Sequence, residues 1–175
     1  MDHLRRVLEL VNMARASYGA PELEALLPGQ PRSASFCPIG RSLRKGVEEW
    51  LFVAVGTRYL RVWTSAQDSL AIAKRILAAW GMSDGRLVQS AERTGFVLLP
   101  LPPELSKFLE QFDRGLLPEY KGQVDPEEGR KLKELAGGMP IPGRTATTYR
   151  MGHGRIAPAV ESQKEALKGA KSATR

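Results

Sequence analysis

Three stretches of the chain, residues 4–19, 65–81 and 102–115, place apolar residues at every third or fourth position. This period matches one side of an α-helix, so each stretch predicts a helix that buries one face. Each pattern ends at a glycine, and Ser65, with Asp68 three residues later, is predicted to cap the second helix. The stripes consist of Leu4, Val7, Leu8, Val11 and Ala14; Ala66, Leu70, Ala73, Ile76, Leu77 and Trp80; and Leu105, Phe108, Leu109 and Phe112.

Shorter patterns fill the intervals. PELEALLPG (21–29) and PIGRSLRKG (38–46) each open near a proline and close at a glycine, which predicts two short helices. Residues rich in β-branched and aromatic side chains predict a hairpin with strands at 48–55 and 59–63, and two further strands in RLVQSA and GFVLLPLP. This order favours an α+β domain in which three or four helices cover one face of a small, mainly antiparallel sheet of about four strands.

The apolar content falls beyond Pro118. We predict a compact domain over residues 1–120, a linker with one short polar helix over 121–137, and an extended basic arm over 138–175. The first part of the arm, MPIPGRTATTYRMGHGRIAPAV, has glycine and proline at close intervals and no helical or strand period. Such a segment lacks the apolar residues that would form a core of its own.

The formal net charge of +7 is unevenly distributed. Residues 1–135 carry 19 lysines and arginines against 17 aspartates and glutamates, whereas residues 136–175 carry 7 against 2. This asymmetry indicates an arm that meets a polyanion rather than a basic face on the folded domain. A solvated tail without a specific partner remains the alternative.

The single cysteine lies in SFCPIGRSLRKG, at the start of a predicted helix and close to three basic residues. Both features lower a thiol pKa. A phosphatase loop would need an arginine six residues after Cys37, where this chain has Leu43, and Pro38 removes one N–H donor from such a loop. We therefore interpret Cys37 as a buried packing residue and keep it as the only candidate for an enzymatic activity.

Other chemical signatures are missing from the sequence. His3 and His153 lie at opposite ends, so we expect no metal site, and no phosphate-binding loop, GxGxxG or GxSxG motif predicts a cofactor or a catalytic serine. One cysteine, no signal peptide and no apolar run of membrane-spanning length favour a cytoplasmic protein without membrane contact, or a virion protein if a phage encodes it. We expect a non-catalytic protein.

The candidate binding residues are arginines, lysines and tyrosines near the predicted hairpin and in the arm. Arginines beside an aromatic side chain suit phosphate contact and base stacking, although they also occur at the solvent-exposed edge of ordinary sheets. The candidates are Arg41, Arg44, Lys45, Arg58, Tyr59, Arg61, Arg144, Tyr149, Arg150, Arg155, Lys164, Lys168 and Lys171.

Two segments, CPIGRSL and LPPELSKFLEQFDRGLLPEY, resemble segments of small uncharacterised proteins of high-GC bacteria and their phages. In that family a CPIARAL-like element precedes the sheet, and an LPPxLxxFLxxFDxGxLPEL-like segment closes the domain. The resemblance covers about residues 4–120, and Gly40 and Ser42 depart from the family's alanines. It implies a bacterial or phage setting and an accessory role, and it assigns no site residues.

Together these features predict an accessory protein that binds a larger protein or nucleoprotein assembly, with nucleic acid as the polyanion, through its arm. The alternative is a phage structural or assembly protein whose arm clasps neighbouring subunits. The sequence leaves the oligomeric state open.

Overall fold

The computed structural model describes residues 2–137 except residues 66, 84, 86 and 88–95. Within these residues the chain is an α+β protein with five α-helices, three strands and a 3₁₀ turn at Pro118–Tyr120. The helices are α1 (Asp2–Ser17), α2 (Pro38–Arg44), α3 (Ser69–Ala79), α4 (Pro103–Asp113) and α5 (Pro126–Gly137), and the strands are β1 (Leu51–Val55), β2 (Tyr59–Thr64) and β3 (Val97–Pro100).

The three strands form an antiparallel sheet in the order β1-β2-β3. The hairpin predicted from the sequence is β1 and β2, with Val53 opposite Val62, and the predicted strand in GFVLLPLP is β3. The predicted strand in RLVQSA falls on residues that, apart from Leu87, lie outside the described residues. The antiparallel sheet is therefore confirmed for three of the expected strands.

One side of the sheet, here called the first face, packs against α2 and α3, and α1 and α4 complete the same apolar core. Its strand residues alternate along the chain, because successive side chains of a strand point to opposite sides. They are Leu51, Val53, Val55, Leu60, Val62, Val97 and Leu99, and all belong to the main apolar core.

The helices that cover the first face lie where the apolar period predicted them. The indole Nε1 of Trp80 donates to the Leu10 carbonyl at 2.9 Å and so links the end of α3 to α1. The predicted cap at Ser65 is wrong: the Asp68 carboxylate accepts from the Leu70 amide at 3.0 Å and caps α3. Asp68 immediately precedes the helix, so its short side chain can reach an N–H of the first turn.

The opposite side, the second face, carries Phe52, Ala54, Trp63 and Phe96, which are buried together with Leu132 and Leu135 of α5. The expectation of helices on one face only is therefore wrong, because α5 covers part of the other. Every residue of β1 is buried as a result. Burial on both sides is typical of strands with a continuous apolar run such as LFVAV.

The helix predicted over residues 21–29 does not form. The Leu23 amide donates to the Asn12 side-chain oxygen at 2.9 Å, and the Leu27 amide donates to the Ser42 hydroxyl at 2.9 Å. These side chains satisfy amide groups that would otherwise bond within a helix. Long-range contacts thus override a local helical pattern.

Candidate nucleic-acid interface

Cys37 lies at the N-cap of α2, as its sequence position suggested, and belongs to the main core with 2 % exposure. Its sulfur accepts from the Gly40 amide at 3.3 Å. Burial raises the pKa of the Cys37 thiol to about 11, against smaller lowering effects from the Gly40 amide and the Arg44 guanidinium. At neutral pH the thiol is therefore protonated and shielded, which suits packing and not nucleophilic attack.

Arg41 and Arg44, two candidate binding residues, point to the same carboxylate of α5. Glu128 accepts from the Nη2 of Arg41 at 2.7 Å and from the Nη2 of Arg44 at 3.2 Å. Arg44 also donates to the Val53 carbonyl at 2.9 Å and lies over the ring of Phe36, 5.6 Å from its centre. These contacts hold the N-terminal half of α5 against α2 and β1.

Burial lowers the pKa of Arg44, and the charge of Glu128 acts in the opposite direction. The side chain of Arg44 is only 1 % exposed. A guanidinium in this position is not presented to a phosphate in solution. The sequence suggested Arg44 as a binding candidate because it lies just upstream of the predicted hairpin, whereas the fold buries it in contact with β1 and α5.

Lys45 is exposed at the end of α2 and lines a shallow depression of about 170 Å³ with Arg41 and Lys131. Glu48, Asp125, Glu127 and Glu128 line the same depression. Four acidic side chains outnumber three basic ones here, so the depression does not attract a polyanion.

The three hairpin candidates occupy the start of the central strand. Arg58 is exposed, Tyr59 is 41 % exposed, and Arg61 is half-buried with its guanidinium carbon 5.9 Å from the centre of the Phe96 ring. The Tyr59 carbonyl accepts from the Gly56 amide at 2.9 Å, and the Arg58 carbonyl accepts from the Leu101 amide at 3.0 Å. Hydrogen bonds to the turn and to the residue after β3 thus fix the backbone of this tip.

Tyr59 and Arg61 lie on the second face. Side chains two residues apart on a strand share a side, and Arg61 stands opposite Ala54, a member of the second-face cluster. The fold therefore brings these two candidates to the side of the sheet that α5 partly covers. Arg41 and Arg44 do not join them, because both contact the carboxylate of Glu128.

The seven candidates of the arm lie outside the described residues, so their roles remain predictions. They are Arg144, Tyr149, Arg150, Arg155, Lys164, Lys168 and Lys171.

Arg15 is a fully buried cation that the sequence reasoning missed. It donates to the carbonyls of Pro21 at 2.8 Å and Lys45 at 2.9 Å, and to that of Ser42, and so satisfies the C-terminal end of α2. Burial lowers the pKa of Arg15. Its position four residues after Val11, on the apolar stripe of α1, was the available signal.

Within the part of the chain that the structure describes, no cluster of histidine, cysteine, aspartate and glutamate side chains is arranged to hold a metal ion. The described helices are also too short or too polar to cross a bilayer.

No family model, curated protein or solved structure matches the chain. The resemblance to small bacterial and phage proteins therefore stays a prediction that rests on the two quoted segments.

Proposed function

We propose that this chain is a non-catalytic accessory protein that binds a larger protein or nucleoprotein assembly through its basic arm, residues 138–175, with nucleic acid as the polyanion. The arm carries 7 lysines and arginines against 2 acidic residues, whereas the rest of the chain carries 19 against 17. An excess of positive charge on an extended segment attracts phosphate backbones and accelerates association.

The observation that carries the proposal is the internal use of cations in the described fold. Arg41 and Arg44 share the carboxylate of Glu128, and Arg15 bonds to backbone carbonyls in the interior. Arg130 pairs with Glu127 and Glu134 on the surface of α5. Several cations of the body are therefore neutralised or buried, and five of the seven net positive charges belong to the arm.

The point of attachment of the arm supports a role for the second face. The arm follows Gly137, the last residue of α5. Leu132, Leu135 and Ala136 of this helix pack on the second-face cluster. The helix that precedes the arm therefore lies on the side of the sheet that also carries Tyr59 and Arg61.

The test compares two full-length variants with the same loss of charge. The arm variant replaces Arg144, Arg150 and Arg155 by glutamine, and the control replaces the exposed body residues Arg75, Lys107 and Arg114 by glutamine. Binding of a labelled DNA duplex is followed by fluorescence anisotropy between about 50 and 200 mM salt.

We expect the arm variant to bind more weakly and to lose about 0.9 from the slope of log K against log salt for each phosphate contact removed. The control should keep the affinity and slope of the unmodified chain. An equal loss in both variants, or no binding by the unmodified chain, contradicts an arm-directed polyanion site.

The second candidate, an assembly protein whose arm clasps neighbouring copies, is favoured by the apolar residues of the arm. These are Met139, Ile141, Tyr149, Met151 and Ile156. Apolar contacts do not weaken as salt rises, whereas phosphate contacts do. Sedimentation of the full chain alone, showing self-association that persists at high salt, would support this candidate over nucleic-acid binding.

A further inference from the structure

Tyr59 differs from the other aromatic side chains that the structure describes. Most of these are buried or half-buried in the two clusters, whereas Tyr59 is 41 % exposed. It starts the central strand, opposite Pro100 of β3 and within the hydrogen-bonded backbone of the hairpin tip. A rigid backbone presents the ring at low entropic cost, because little remains to be ordered on binding.

Cationic side chains come before and after Tyr59 in the chain. Arg58 precedes it and is exposed, and Arg61 follows on the same face and extends over the ring of Phe96. An exposed aromatic ring with arginines at neighbouring chain positions suits contact with a nucleobase and with its flanking phosphates. We define Arg58, Tyr59 and Arg61 as the hairpin-tip surface.

The exposed ring face discriminates between forms of nucleic acid. In a duplex each base is covered on both sides by its neighbours, so a protein ring can stack on an internal base only after the base leaves the helix. The bases of a single strand are already accessible, and stacking on an aromatic side chain tolerates any base. Tyr59 therefore favours single strands, whereas arm cations bind either form.

We propose that the hairpin-tip surface stacks an unpaired base on Tyr59 and gives this protein a preference for single-stranded nucleic acid. This inference rests on the proposed function, in which the arm supplies most of the electrostatic affinity. Gly137, which the arm follows, ends a helix that packs on the same side of the sheet.

The experiment measures binding of the full chain to a labelled oligothymidylate and to a duplex of equal length. The ring is removed in Tyr59→Ala and in Tyr59→Thr, which keeps a β-branched side chain suited to a strand, and it is kept in Tyr59→Phe. Leu116→Ala removes an exposed apolar side chain at the end of α4 and serves as the control. Thermal unfolding verifies that each variant folds.

Loss of the ring should weaken binding to oligothymidylate by about 5- to 150-fold and leave duplex binding unchanged. Tyr59→Phe and Leu116→Ala should bind both probes like the unmodified chain. Arg58→Gln should lower the salt slope on oligothymidylate by about 0.7, whereas Arg75→Gln, on the opposite side of the sheet, should not.

Equal weakening on both probes, or no weakening on oligothymidylate, would overturn the stacking role and leave the arm proposal intact. If the unmodified chain binds neither probe, both proposals are wrong. If Tyr59→Ala does not fold, Tyr59→Thr gives the same reading.

Discussion

The two faces of the sheet are buried by different interactions. On the first face, four helices contribute aliphatic and aromatic side chains to one large core. On the second face, α5 contributes Leu132 and Leu135 to a smaller cluster, and Glu128 of the same helix receives Arg41 and Arg44 at its border. The first face is held by apolar area, and the second by a few apolar contacts together with buried charge.

The two faces therefore differ in what they contribute: the first mainly stabilises the fold, and the second mainly orients α5. Apolar burial is non-directional and stabilises roughly in proportion to area. A buried ion pair loses hydration on forming, so its net contribution is small, but removal of one partner leaves an uncompensated charge at high cost. Hydrogen bonds from two guanidinium groups also require a defined carboxylate position. We infer that the first face supplies most of the stability, whereas Glu128 sets where α5 docks.

The largest effect is expected from Phe108→Ala on the first face. The Phe108 ring is fully buried, stacks on Phe112 with ring centres 6.2 Å apart and meets Tyr120 edge-on at 5.2 Å. Its removal leaves a cavity and should lower the free energy of unfolding by about 4 kcal/mol. Urea denaturation measures this loss. A loss below about 1 kcal/mol would mean that the core relaxes around the site and that the first face is not tightly packed.

Glu128→Gln should have the next largest effect. The change is nearly isosteric but leaves Arg44, 1 % exposed, and Arg41 without their shared charge. We expect a loss of about 3 kcal/mol, at the lower end of the range for broken buried pairs because the Glu128 side chain is 13 % exposed.

The neighbouring substitution Glu127→Gln is the control for Glu128→Gln. Glu127 pairs with Arg130 on the exposed side of α5, and that guanidinium lowers the pKa of the Glu127 carboxyl. Solvent screens this pair, so the urea midpoint should not change measurably. Similar losses for the two variants would show that the Arg41–Arg44–Glu128 contacts do not fix α5.

Leu132→Ala tests the apolar part of the second face. Leu132 is buried at the edge of its cluster, so the loss should be about 2 kcal/mol, the low end for leucine truncation. Because α5 contributes few side chains to this face, we expect the amides of α5 to exchange faster while those of β2 stay protected. Native-state hydrogen exchange measures both. Equal acceleration in β2 would mean that the two faces unfold as one unit.

The sequence predicted the first face well because its signals are local. The stripe that ends at Phe112 repeats within one helix, and the β-branched residues of β2 alternate within one strand, so neither needs knowledge of a distant partner. The glycine at 115 adopts a positive φ, as its position after α4 suggested.

The second face was not predictable in the same way. Arg41 and Glu128 are 87 positions apart, and no local pattern connects them. The segment around Glu128 is polar apart from Leu132 and Leu135, which is typical both of a linker helix and of a helix that buries one narrow stripe. The candidate site has the same problem, because no local pattern distinguishes a buried arginine from an exposed one. Arg44 and Arg58 were both binding candidates, but only Arg58 is exposed.

Cys37→Ser is expected to have the smallest effect. It tests whether water reaches the first-face core near the contacts of Arg41 and Arg44 with Glu128. The Cys37 thiol belongs to the first-face core, yet the Arg44 guanidinium acts on its pKa. The pKa is about 11 in the folded chain against about 8.5 in the unfolded chain, so unfolding releases a proton above about pH 8.5. The free energy of unfolding therefore falls as pH rises from there towards 11.

Cys37→Ser removes this titration but keeps an acceptor for the Gly40 amide. From about pH 7.5 to about pH 9.5 the unmodified chain should lose about 1 kcal/mol more than the variant. The buried Tyr18, whose pKa burial also raises, titrates in both chains and cancels. Parallel pH curves for the two chains would mean that the thiol ionises as easily in the fold as in the unfolded chain. Water or the charge of Arg44 would then stabilise the thiolate. The apolar core of the first face would therefore not be isolated from the ionic contacts of Arg44 at this residue.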